Sequence, residues 1–118
     1  MSLTVHTEQR GDVVVVSVAG ELDMATAPQL QDQITDLLDK GRNRLVFDLS
    51  DVSFCDSTGL SVFVRAKNSC DEAGGVVRLA APQRGVLRIL EVSGLVEVLH
   101  TYPTVEQAVA GDPTPASS

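Results

Sequence analysis

Residues 13–18, Val-Val-Val-Val-Ser-Val, place the strongest constraint on the fold. A β-branched run this apolar reads as a strand, and it has no polar face to offer water. It is too apolar for a strand with one side in solvent, so it is buried within a sheet. The preceding segment, Leu3 to Gln9, alternates with a period of two. Leu3, Val5 and Thr7 fall on one side, and Thr4, His6 and Glu8 on the other. Arg10-Gly11-Asp12 reads as a turn, so the chain opens with a hairpin whose second strand is the buried one.

Strands and helices alternate from there on. Gly20-Glu21-Leu22-Asp23 ends the second strand in a loop. A helix follows, with Thr26 as its N-cap and Pro28 in the first turn, where a missing N–H costs little. Leu30, Ile34, Leu37 and Leu38 form its apolar stripe, and Gly41 stops it. Arg44 to Leu49 reads as a short strand and Ser50 to Asp56 as a loop holding Val52 and Phe54. A second helix starts near Ser57, lined by Leu60, Phe63, Val64 and the stem of Lys67, with Cys70 and Ala73 further along. Gly74-Gly75 ends it, and Val76 to Ala80 is the next strand. Pro82 to Val92 reads as a third helix closed by Gly94, Val96 to His100 as a last short strand, and Thr104 to Ala110 as a terminal helix capped by Thr104.

The order is β-β-α-β-α-β-α-β-α. It implies an α/β fold with a mixed sheet, mainly parallel, joined by right-handed crossovers, with helices packed against it. Residues 1–110 make one domain, and 111–118, with nothing apolar larger than Ala or Pro, make a disordered tail. In such folds the loops at the carboxyl ends of parallel strands host the site. Gly20–Thr26 and Ser50–Gly59 are expected at that end.

Composition narrows the function. The chain of 118 residues carries a net charge of −7, which repels phosphate backbones and anionic membranes, so direct nucleic-acid or membrane binding is not expected. Three Phe, one Tyr and no Trp leave no platform for stacking bases. No signal segment and no apolar run of about 20 residues is present, so the cytoplasm is the expected address. Cys55 and Cys70 are too few for a disulfide framework and match no zinc spacing, and they read as small buried hydrophobes.

Asp56-Ser57-Thr58-Gly59 is the most informative stretch. Its structural reading is a helix start with Ser57 as the cap, which contributes about 1 kcal/mol. Asp56 is an alternative cap. No Glu or Gln stands three residues after Ser57, so a capping box is missing. Its functional reading is a hydroxyl held at the surface in the first turn of a helix, where a phosphoryl group meets free N–H donors and the positive end of the helix dipole. A phosphate there adds about −1.5 to −2 charge at pH 7. Asp23, Asp56 and either Asp48 or Asp51 are expected nearby, so the added charge stays unneutralised and changes what the surface accepts. Asp23 also reads as a simple turn residue. A metal site from Asp23 and Asp56 is not expected, because spacing does not complete a ligand set.

Phe47 to Leu60, FDLSDVSFCDSTGL, resembles the signature segment of STAS domains, in particular the bacterial anti-sigma factor antagonists. Gly20-Glu21-Leu22-Asp23 with Thr26-Ala27-Pro28 is similar to the family's other hallmark, and Leu79 to Pro82 and Leu87 to Leu95 resemble its later strand and helix. The likeness spans about residues 3–110. It implies that Ser57 is a phosphorylation site and that Asp23, Asp56, Ser57, Thr58 and Gly59 meet the partner. It implies binding to an anti-sigma factor that is also a serine kinase, release of a sigma factor, loss of binding on phosphorylation, and restoration by a regulatory, metal-dependent phosphatase. Cys55 departs from the pattern, standing where a larger aliphatic or Met residue is common.

No enzyme and no cofactor are implied. Ser57 lacks the surroundings of a nucleophile elbow, Gly74-Gly75 lacks those of a phosphate loop, and His6 and His100 read as strand residues rather than bases. The free chain is expected to be a monomer. The alternative to an antagonist is a STAS scaffold subunit of a sensory or transporter complex, without phospho-switching.

Overall fold

The structure, a computed structural model, describes residues 2–111. Five strands form one sheet: β1 (Leu3–Arg10), β2 (Val13–Leu22), β3 (Arg44–Cys55), β4 (Val76–Ala80) and β5 (Thr101–Tyr102). They lie side by side in chain order, β1 antiparallel to β2 and the rest parallel. The helices are α1 (Ala27–Asp39), α2 (Ser57–Glu72), α3 (Arg84–Val92), α4 (Leu95–Val98) and α5 (Val105–Ala110). The mixed sheet with packed helices is the expected architecture. The tail expected at 111–118 lies, apart from Gly111, outside the described residues.

The valine run is buried on both sides. Val14, Val16 and Val18 join the larger core with Leu45, Phe47, Leu79 and the inner faces of α1, α2 and α3. Val13 and Val15 point the other way, into a smaller core of Val46, Ala80, Tyr102 and Ala108. The terminal helix α5 therefore covers the second face of the sheet, with Thr104 capping it through the Gln107 amide at 3.1 Å.

Three expectations are corrected. Glu21 and Leu22 belong to β2, and Ser50 to Cys55 continue β3 rather than forming a loop. Their polar residues mimic a loop, yet Ala19 pairs with Asp51 and Leu22 with Cys55 across two register shifts. The shifts put Val52 and Cys55 inward and leave Ser50, Asp51 and Ser53 in water. The segment Val96 to His100 is not a strand. Gly94 turns left-handed (φ 71°), a single helical turn follows, and only Thr101–Tyr102 pairs with β4. Burial of Leu99 at the end of that turn outweighs the β-propensity of Val96 and Val98.

The inner face of α2 also differs from the expected stripe. Gly59, Leu60, Val62, Phe63, Ala66 and Cys70 are buried, whereas Ala73 is exposed. Phe63 meets Phe47 of β3 edge to face, with ring centroids 5.1 Å apart. That contact ties α2 to the sheet directly below its start.

Candidate functional site

Parallel pairing sets the ends of β2 and β3 level, Leu22 against Cys55. The Asp56 amide donates to the Leu22 carbonyl at 3.2 Å and carries that alignment one residue past the strand. Asp56 is extended (φ −101°, ψ −173°), and its carboxylate accepts from the Gly59 amide at 3.0 Å. The cap of α2 is thus Asp56 and not Ser57. A carboxylate suits that place better than a hydroxyl, since its charge also meets the positive end of the helix.

Ser57 is the first helical residue, and its side chain is left over. It is exposed, and its hydroxyl has no hydrogen-bond partner among the described residues. Its carbonyl accepts from the Ser61 hydroxyl at 2.9 Å. The Ser57 and Thr58 amides precede the first intrahelical bond, which runs from Leu60 to the Asp56 carbonyl. Thr58 is half-buried beside them.

Gly59 has a steric reason to be glycine. A Cβ there would stand 2.8 Å from Leu22 Cγ and 2.9 Å from Cys55 Sγ. The helix start lies directly on the strand ends, and a larger residue at 59 would lift it. Cys55 is the small neighbour in this contact. Burial, and secondarily the Asp56 charge, push its thiol up to about 12, so it stays protonated and inert.

Asp23 is near, at the end of β2, but its carboxylate is largely occupied. Oδ1 accepts from the Ala25 amide (2.9 Å), the Thr26 amide (3.1 Å) and the Thr26 hydroxyl (3.2 Å). Thr26 stands at the N-cap position of α1, yet its hydroxyl does not cap the helix. It donates to the Glu21 carbonyl at 2.7 Å and accepts from the Asp23 amide at 3.0 Å. Asp48 and Asp51 are not at the site. They precede Cys55 by roughly 23 Å and 13 Å of extended strand, and Asp48 instead holds the Ser50 amide at 3.0 Å.

Two open grooves flank the exposed ridge of α2. One, of about 680 Å³, is lined by Ser57, Thr58 and Ser61 together with the apolar Leu60, Val64 and Leu95. The other, of about 280 Å³, lies against α1 and includes Met24, Pro28 and Asp32. Arg65 borders both. Met24 is 75% exposed, a large apolar side chain held out beside the site. Neither Met24 nor Arg65 stands out from the sequence motif. The signal for Arg65 is helical spacing: it falls two turns after Ser57 and Thr58.

Among the described residues no group of His, Cys, Asp or Glu could hold a metal ion, and no helix is long and apolar enough to cross a membrane. Residues 4–108 match the family described as STAS domain. An anti-sigma-B factor antagonist of Bacillus subtilis is 32% identical over 99 residues, covering 84% of this chain and 90% of the relative. One from Staphylococcus aureus is 29% identical over 106 residues, covering 90% and 98%. The crystal structure of an anti-sigma factor antagonist from Mycobacterium paratuberculosis superposes with a TM-score of 0.84 at 33% identity, covering 93% of each chain.

Proposed function

This chain belongs to the STAS domain family, in its branch of anti-sigma factor antagonists, which are non-enzymatic regulators that bind an anti-sigma factor. We propose that it works by partner switching. The face built from Ser57, Thr58, Gly59, Asp56 and Asp23 docks on an anti-sigma factor that is also a serine kinase. Docking frees a sigma factor, phosphorylation of Ser57 ends it, and a phosphatase resets the chain.

The exposed, unbonded Ser57 hydroxyl carries this reading. The helix cap is supplied by Asp56, so the fold makes no demand on the Ser57 oxygen. A phosphoryl group there meets the first-turn amides, which hold it, and the Asp56 carboxylate, which forms no ion pair among the described residues. A dianion on a docking face costs a partner more than the ~1.4 kcal/mol that separates tenfold steps in affinity.

The test is to incubate the chain with ATP and recombinant candidate anti-sigma kinases, then locate the phosphoryl group by mass spectrometry. A single phosphate on Ser57, and its absence from Ser57→Ala, is the expected result. Ser57→Ala still binds the kinase, and Ser57→Asp binds more weakly. A kinase that binds Ser57→Asp and the unmodified chain equally well, or a phosphate elsewhere, overturns the mechanism.

A further inference from the structure

The two grooves share one residue to which neither the signature segment nor the cap assigns a part, Arg65. Residues four apart on a helix advance by only about 40°, so Ser57, Ser61 and Arg65 form one slowly turning stripe along α2. All three are exposed. A long helical side chain leans toward the start of its helix, and Arg65 borders the same groove as Ser61 and Ser57.

Charge sets this place apart. Arg65 is the only cation among the described residues bordering either groove, and Asp32 the only carboxylate. No ion pair joins Arg65 to any described residue. In a chain of net charge −7, the ridge beside Ser57 thus presents an unpaired positive point over an apolar lining.

We propose that Arg65 selects the partner: it receives an acidic side chain of the docked anti-sigma kinase, while aliphatic side chains next to that acid settle on Leu60, Val64 and Leu95. The proposal rests on the docking face described above and names the chemistry that face accepts. It also gives phosphorylation a definite target. The backbones of residues 57 and 65 are about 12 Å apart, and the lean of Arg65 shortens the gap between the charged groups toward one Debye length, ~8 Å at physiological salt. A phosphate on Ser57 therefore repels the partner's carboxylate and weakens the pull of the guanidinium on it.

The experiment measures the affinity of the kinase that phosphorylates Ser57 for wild-type chain, Arg65→Lys, Arg65→Gln and Arg65→Glu, by titration calorimetry at low and high salt. Circular dichroism checks that each variant is folded. Arg65→Glu is expected to bind roughly tenfold more weakly or worse, Arg65→Gln less so, and Arg65→Lys nearest to wild type. The wild-type affinity falls with salt more steeply than that of Arg65→Gln. Phosphorylation of Ser57 in Arg65→Glu shows a raised KM with kcat retained.

Equal or tighter binding by Arg65→Glu overturns the proposal while leaving the Ser57 switch standing. So does an equal loss in Arg65→Gln and Arg65→Glu without salt dependence, which assigns Arg65 a packing role. A wild-type chain that neither binds nor is phosphorylated by any anti-sigma kinase fails at the earlier step and takes both readings with it.

Discussion

Thr26 and Ser57 are two hydroxyls at the starts of neighbouring helices, each just past the end of a parallel strand, and their fates are opposite. Thr26 is buried (7% exposed) and bonded on every side, to the Glu21 carbonyl, the Asp23 amide and the Asp23 carboxylate. Ser57 is exposed and bonded to nothing among the described residues. At α1 the hydroxyl builds the loop and Asp23 closes it. At α2 the carboxylate of Asp56 does the structural work and releases the hydroxyl next to it. An aspartate beside a hydroxyl is therefore not enough to mark a modifiable residue; the division of labour between the two decides.

The largest effect that tests this contrast is Thr26→Val. It leaves the half-buried Glu21 carbonyl and Asp23 amide without that partner and is expected to cost about 3 kcal/mol in urea unfolding. A loss under about 0.5 kcal/mol would erase the distinction between the two starts. Next comes Gly59→Ala, expected to cost about 2 kcal/mol through its clash with Leu22 and Cys55. Trimming the neighbour in Gly59→Ala/Cys55→Ala should recover part of that loss, and a strictly additive double variant would show that the two do not touch.

Asp56→Ala removes one cap and should cost about 1 kcal/mol, with amide exchange faster at Gly59. Ser57→Ala should change stability by less than about 0.5 kcal/mol. A larger loss would mean that the hydroxyl has a structural duty after all.

The thiols give the mildest test. Burial raises Cys55 to about 12 and Cys70 to about 11 from an ordinary 9.0, with the Asp56 and Asp71 charges adding to each. The folded chain keeps these protons where the unfolded chain releases them, so stability is whole below pH 9 and declines as pH climbs above it. At pH 8 a disulfide reagent should label both cysteines only on the timescale of unfolding. Rapid labelling of Cys55 in the native chain would show that the start of α2 is loosely seated.

Much of this was readable in the sequence, and the reason is local. Four consecutive valines leave a strand no wet face, and the stripe Leu30, Ile34, Leu37 fixes a helix against it. The start of α2 at Ser57 is readable in the sequence because helix-start chemistry is short-range. What escaped depends on partners distant in sequence. Ser50 to Cys55 resemble a loop until β2 pairs with them. The sequence alone puts Asp48 or Asp51 beside the site, because Ser50 to Asp56 reads as a compact loop after a short strand; as one long extended strand the segment carries both away. The assignment of the cap to Asp56 rather than Ser57 turns on one backbone dihedral and one 3.0 Å bond, which residue type alone does not choose between. Val96 and Val98 favour a strand by type, and a left-handed Gly94 overrides them.

β3 outreaches its neighbour. β4 stops opposite Asp48, whereas β3 runs on to Cys55, leaning on β2 as it goes. The tip that bears Ser57 is thus a pier built out from one half of the sheet, with β4 and β5 left ashore. A group attached at its end alters the outline that another molecule meets and puts no load on the far strands. Under the proposed switch, marked and unmodified chains would be copies of one scaffold, interconvertible without refolding, and the population would be tuned as a ratio of two surfaces.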